Sequence, residues 1–201
     1  LKNLKKGVKY RKDLEEFYTK LNKSKIFWIN QLSAKGFGDA VKYAESFVGN
    51  DDFLVTAGDT LLPTGDKIIK KLLNSKLKGK NDAILLLKKV SDPRRFGVAV
   101  VKKHKNSFQV INVEEKPKKP KSNLSIVAVY RFKPSIFKAL DAVKNDKKEL
   151  QLTSGIQKLI DWGGNVSAII LDKKDQVIDI GTAESYIETI IRYNTIGINH
   201  Q

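Results

Sequence analysis

Two short apolar runs in this chain each end in aspartate. One is Phe53-Leu54-Val55-Thr56-Ala57-Gly58-Asp59, and the other is Val177-Ile178-Asp179-Ile180-Gly181-Thr182. A buried strand that ends in Gly-Asp delivers a carboxylate to the rim of a sheet, which is where open α/β folds take their ligands. Two such deliveries can share one divalent cation. Capping of a turn is the plainer explanation of each aspartate alone, but Thr182 already supplies a helix N-cap and leaves Asp179 unexplained. The pair predicts an α/β enzyme that handles phosphates at its strand ends.

The surrounding pattern agrees with that class. Leu14, Phe17, Tyr18 and Leu21 recur at helical spacing, so a helix is expected over about residues 11–22. Ile26 to Gln31 reads as a strand, Gly36-Phe37-Gly38 as a turn, Asp39 to Ala44 as a helix and Phe53 to Ala57 as the next strand, which together make a βαβ unit. A helix around Asp66 to Asn74 and a fully apolar, parallel-type strand Ala83 to Leu87 follow. Phe96 to Val101, Phe108 to Val113 and Ser125 to Phe132 are separated by turns instead of helices, which predicts local antiparallel pairing. Pro134 to Val143 and Leu152 to Trp162 read as helices, Val166 to Leu171 and Gln176 to Ile180 as strands, and Thr182 opens a closing helix to about Tyr193. The expected fold is α/β, Rossmann-like, with a mixed, mostly parallel sheet flanked by helices. No internal repeat or long linker divides it, so residues 1–201 are read as one domain.

Composition narrows the chemistry. With no cysteine and only His104 and His200, disulfides, thiolate metal sites and cysteine nucleophiles are excluded, and a metal must be held by oxygen. No apolar stretch is long enough for a membrane span and no signal peptide opens the chain, so a soluble cytoplasmic protein is expected. The formal charge of +16, from 38 Lys+Arg against 22 Asp+Glu, suits either anionic small substrates or nucleic acid. The lysines are scattered and no aromatic RNA-binding motif accompanies them, so nucleic acid is the disfavoured partner.

Two further clusters carry chemistry. Gln31 lies four residues ahead of the turn that begins at Gly36; a side-chain amide pairs donor and acceptor as a pyrimidine edge does, and glycine lets backbone approach a flat base. Glu114-Glu115-Lys116-Pro117 ends a strand with carboxylate beside ammonium, a pair suited to sugar hydroxyls and an adjacent phosphate. A tight turn and a charged hairpin end are the respective structural alternatives, and Lys118, Lys119 and Lys121 are assigned to solvent.

Taken in order, several stretches resemble the sugar nucleotidyltransferase family. They are Gln31-x4-Gly36-x-Gly38-Asp39-Ala40, Phe47-Val48-Gly49, Phe53-Leu54-Val55-x-x-Gly58-Asp59, Asp92-Pro93-x-x-Phe96-Gly97-Val98, Val113-Glu114-Glu115-Lys116-Pro117, Ser122-Asn123-Leu124, Leu150-Gln151-Leu152-Thr153 and Asp179-Ile180-Gly181-Thr182. The likeness covers about residues 26–192 and is nearest to the UTP–glucose-1-phosphate uridylyltransferase branch, with the glucose-1-phosphate thymidylyltransferases close by. It implies attack of a sugar-1-phosphate oxygen on the α-phosphate of UTP or dTTP, giving a nucleotide sugar such as UDP-glucose, and pyrophosphate. It also implies that Gln31 and Gly36 read the pyrimidine, that Asp59 and Asp179 hold Mg²⁺, that Glu115, Gly97 and Thr153 meet the sugar, and that Lys116 holds its phosphate. Homo-oligomers are common among such enzymes.

The chain departs from the family pattern in three places. Nothing before Gln31 matches the family's N-terminal strand and glycine-rich phosphate loop; Leu4 to Arg11 contains a single glycine. Ala128 stands where the family usually has glycine, and Val177 where an aromatic is frequent. Since the chain opens at Leu1 and contains no methionine, the expectation is an N-terminally truncated domain, with a binding-only paralogue as the alternative. Without the loop, the 201 residues alone are expected to be feeble catalysts, since single electrostatic contacts are worth about 3 kcal/mol.

Overall fold

The computed structural model describes residues 8–63, 65–75, 81–104, 107–143 and 149–198, with side chains described only from residue 12 to residue 191. The chain separates into two compact units, residues 1–30 and 31–201. The described part of the first contains one helix, α1 (Val8–Asn22). Glu16 and Lys20 pair one turn apart on it at 2.9 Å, which draws the Glu16 carboxyl below its ordinary range. The strand expected over Ile26 to Gln31 is absent: residues 25–31 have no regular structure. A strand exists only by hydrogen bonding to a neighbour. No strand among the described residues pairs with this segment, so the expected βαβ unit lacks its first member.

The second unit opens with two short helices, α2 (Phe37–Lys42) and α3 (Glu45–Val48), then β1 (Phe53–Thr56) and β2 (Thr60–Leu61). After α4 (Gly65–Asn74) come four long strands: β3 (Asn81–Lys89), β4 (Gly97–His104), β5 (Ser107–Glu115) and β6 (Leu124–Phe132). Helices α5 (Ser135–Asp141) and α6 (Leu152–Asp161), strands β7 (Asn165–Ile170) and β8 (Ile178–Asp179), and helix α7 (Ala183–Ile198) complete it. No described helix is long and apolar enough to cross a membrane.

Six strands form one mixed sheet in the order β1-β6-β3-β7-β5-β4. β3 and β7 pair in parallel, while β6 runs antiparallel to both β1 and β3, and β5 antiparallel to both β4 and β7. β1, β3, β4 and β7 therefore share one direction. The central strand β3 explains the packing, because Ala83 to Leu87 are all buried. By the two-residue alternation of a strand, Ala83, Leu85 and Leu87 face one side, with Ile136, Phe137 and Leu140 of α5 and Ile156 and Leu159 of α6. Ile84 and Leu86 face the other, with Ile68 and Leu72 of α4. At about 1.5–3 kcal/mol for each large apolar side chain, these two layers supply the main stabilisation of the fold.

Candidate active site

The sheet leaves a gap along one edge of β6. β1 pairs with that edge at Val129 to Phe132, and β4 touches it at Val98 opposite Ser125. Between them Ile126, Val127 and Ala128 have no strand partner on that edge among the described residues, apart from the Ala57 N–H donating to the Ala128 carbonyl at 2.9 Å. A cleft of about 610 Å³ opens here, within the range of small-molecule sites. Ile126, Ala128 and Tyr130 alternate along β6 into it.

One lip is built by the short antiparallel ladder of β2 and β8, which the sequence did not signal as a pair. Thr60 sits opposite Asp179 and Leu61 opposite Ile178, and the Ile180 N–H donates to the Asp59 carbonyl at 2.9 Å. Asp59 and Asp179, 120 positions apart in sequence, are thereby brought together at the cleft. A methyl placed on Gly181 would lie 3.0 Å from Asp179 Oδ1 and 3.2 Å from Asp59 Oδ2, so both oxygens lie within one contact distance of a single point. Asp179 Oδ1 also accepts the Gly181 N–H at 2.8 Å, which fixes its carboxylate. Among the described residues no group of three or more His, Asp or Glu could hold a metal ion, so an ion here would have only these two carboxylates from acidic side chains. That set fits Mg²⁺, which is bound through one or two carboxylates and completes its shell with substrate phosphates and water.

The β4–β5 hairpin and the start of α6 form another wall. Gly97 pairs with Glu115, and Thr153 Oγ1 donates to Glu115 Oε2 at 3.0 Å. Their approach is close: a methyl on Gly97 would meet Thr153 Cγ2 at 2.9 Å, Glu115 Oε2 at 3.2 Å and Ile126 Cδ1 at 3.3 Å. Lys116 follows with φ +43, among the described residues a left-handed conformation shared only with glycines, and its N–H donates to the Phe96 carbonyl at 3.1 Å. Such a backbone costs roughly 1–2 kcal/mol in a non-glycine residue and accumulates at functional sites.

Six of the eight residues singled out from sequence, Asp59, Gly97, Glu115, Lys116, Thr153 and Asp179, thus line one cleft. Gln31 and Gly36 do not line it. The Gln31 amide donates to Asp39 Oδ2 at 2.6 Å and, more weakly, to the Gly36 carbonyl at 3.4 Å. Gly36, at φ +101, is pressed against Leu150, whose N–H donates to the Lys35 carbonyl at 2.7 Å and whose carbonyl accepts the Gly38 N–H at 2.9 Å. Phe37, between those two glycines, does reach the cleft.

Among the lining residues not singled out from the sequence, Lys88, Arg95 and Tyr130 carry polar groups able to meet a ligand. The alternation of β6 was the available signal for Tyr130, which stands four positions after Ile126 on the same face. Tyr130 is only 5% exposed, and burial, then the negative charge of Glu115, push its phenol well above the usual tyrosine range. It therefore stays protonated and can donate a hydrogen bond into the cleft.

Comparison with known proteins places this geometry. Residues 7–195 match the family described as nucleotidyl transferase. A glucose-1-phosphate thymidylyltransferase of Streptomyces antibioticus is 36% identical over 149 residues, 73% of this chain and 40% of that protein. A UTP–glucose-1-phosphate uridylyltransferase of Mycoplasma genitalium is also 36% identical, over 161 residues that make up 76% of this chain and 53% of the relative. The chain thus spans about half or less of the length of these relatives. Among solved structures, a UDP-glucose pyrophosphorylase complexed with UDP-glucose superposes with a TM-score of 0.81 at 22% identity, covering 94% of this chain and 74% of that one. The fold is therefore that of the nucleotidyltransferases, a mixed sheet flanked by helices.

Proposed function

The chain belongs to the nucleotidyl transferase family, and from that premise we propose that its cleft serves the transfer of a uridylyl group from UTP to a sugar-1-phosphate, releasing pyrophosphate and forming a nucleotide sugar such as UDP-glucose. The observation that carries this reading is the convergence of Asp59, Asp179, Glu115, Lys116, Gly97 and Thr153 on one cleft. The sugar-phosphate oxygen bonds to the α-phosphorus as the bond to the leaving pyrophosphate breaks, with no covalent enzyme intermediate. Such a reaction needs positioning and neutralised charge more than a titrating base.

In this reading Glu115, oriented by the Thr153 hydroxyl, accepts hydrogen bonds from sugar hydroxyls, while Gly97 keeps the wall thin enough for the ring to approach. Tyr130 donates to the same ligand from the floor. Lys116 neutralises the sugar phosphate. Asp59 and Asp179 would hold a Mg²⁺ ion, which when bound offsets the charge of the triphosphate. Gln31 supports base recognition indirectly, by holding Asp39 and the Gly36 turn in place behind Phe37.

The alternative nucleotide is dTTP, since relatives named for either nucleotide are equally similar. A panel of pyrophosphate-release assays crossing UTP and dTTP with several sugar-1-phosphates tests both. The expected result is Mg²⁺-dependent release that is greatest with UTP and glucose 1-phosphate. Asp59→Asn or Asp179→Asn should each reduce it by about a hundredfold or more. Release that does not need Mg²⁺, or unchanged activity in both variants, would refute the metal assignment. Binding of UDP-glucose without any turnover would instead identify a nucleotide-sugar binder.

A further inference from the structure

The two adjacent arginines at the mouth of the β4–β5 hairpin have different fates. Arg94 is spent locally: its Nη2 and Nε donate to Asp92 at 2.7 and 2.8 Å, and its backbone N–H donates to Asp92 Oδ1 at 3.1 Å. That guanidinium and the Arg94 backbone N–H, with a smaller contribution from the Arg95 charge, hold the Asp92 carboxyl down to about 2, so the clamp persists at any ordinary pH. Pro93 beneath it is buried, and its carbonyl accepts the Phe96 N–H at 3.0 Å. The turn is therefore fixed on both sides of Arg95. Arg95 lines the cleft and has no ion-pair partner among the described residues.

The other charges of the cleft are already occupied or lie elsewhere. Lys88 donates to the Asp175 carbonyl at 3.0 Å, Asp179 belongs to the β2–β8 ladder, and Asp59 precedes β2, its carbonyl accepting the Ile180 N–H. Glu115 accepts from Thr153. Arg95 instead stands beside Phe96, whose carbonyl accepts the Lys116 N–H at 3.1 Å from just past the far strand of the hairpin. A guanidinium fork and an ammonium that line one cleft from adjoining backbone segments suit a phosphoryl group, the fork giving two parallel hydrogen bonds and the ammonium a point charge.

We propose that Arg95 is a substrate-binding residue which, with Lys116, holds the phosphoryl group of the sugar phosphate and not the pyrophosphate end of the nucleotide. This assignment rests on the reading of the cleft as a nucleotidyl transfer site. Calorimetric titration of the chain with glucose 1-phosphate and, separately, with UTP and Mg²⁺ tests it, comparing wild type with Arg95→Gln, Arg95→Lys and Lys119→Gln. Arg95→Gln should weaken glucose 1-phosphate about tenfold or more while leaving UTP within about twofold. Arg95→Lys should recover part of the loss, because it restores charge without the fork. Lys119, an exposed neighbour outside the cleft, controls for net charge, and Lys119→Gln should change neither ligand. Equal weakening of both ligands by Arg95→Gln, or of neither, would overturn the assignment. A wild-type chain that binds UTP but not glucose 1-phosphate would overturn it as well, leaving the nucleotide site in place. Binding of neither ligand would remove both readings.

Discussion

At the scale of single residues, the turn before α2 depends on Gly36 for two separate reasons. Its φ of +101 is disfavoured for any side chain, and a Cβ there would stand 2.5 Å from the Leu150 carbonyl oxygen. Leu150 cannot retreat, since both its N–H and its carbonyl are tied to this turn. Gly36→Ala is expected to cost at least about 2 kcal/mol, measured as a fall in the urea midpoint. Gly58→Ala, where nothing lies within 4 Å and φ is not positive, should stay within about 0.5 kcal/mol. Comparable losses in both would mean that the Leu150 contact is not the cause. Tyr130 makes a prediction about pH. Its phenol titrates higher in the folded state than the ordinary 10.0, so above pH 10 the unfolded chain loses this proton first and the folded state loses stability as pH rises. Tyr130→Phe should flatten that alkaline limb in urea melts at pH 8 to 11. An unchanged slope would show that other groups produce it.

At the scale of elements, those that carry their own burial pattern were legible. The uninterrupted apolar run of β3 and the helical spacing of α4 and α6 appear in the structure close to the expected bounds. Ile26 to Gln31 has a strand-like composition but no strand among the described residues to pair with, and composition alone cannot supply a partner. The reverse case is β2, two residues long and too short to show any period, yet it pairs Thr60 with Asp179 and so brings the preceding Asp59 to the same place. The group that satisfies the end of α4 was equally invisible, because it is distant in sequence. The guanidinium of Arg131, on β6, donates through Nη1 to the carbonyls of Leu73 at 2.8 Å and Ser75 at 2.9 Å, and more weakly to Leu72 at 3.4 Å, while its Nη2 pairs with Asp52 at 3.3 Å. It satisfies carbonyls that the end of a helix leaves without partners. Arg131→Leu should therefore lower stability by about 2 kcal/mol, whereas Asp52→Ala should cost less than about 1 kcal/mol. Thermal unfolding of the two variants makes the comparison, and equal losses would assign the effect to the ion pair instead of the helix end.

At the scale of the whole molecule, the class of fold and most of one cleft were legible because ordered motifs mark strand ends, and strand ends are where a sheet presents side chains to ligands. Lys88 and Arg95 were not legible, because their entry into the cleft follows from the way β4 and β1 leave the middle of β6 uncovered. No local pattern encodes that gap. All the described strands belong to residues 31–201, and both buried clusters lie there too. The cooperative core should then be indifferent to a cut in the unstructured stretch after α1, where Trp28 is 93% exposed. Trypsin under native conditions is expected to cut first at Lys23 or Lys25, before any site within β3 to β6. The fragment beginning near Ile26 should keep a single unfolding transition with an unchanged midpoint, followed by circular dichroism. Early cuts inside β3 to β6, or loss of the transition once residues 1–25 are released, would show that the first unit is part of the cooperative core.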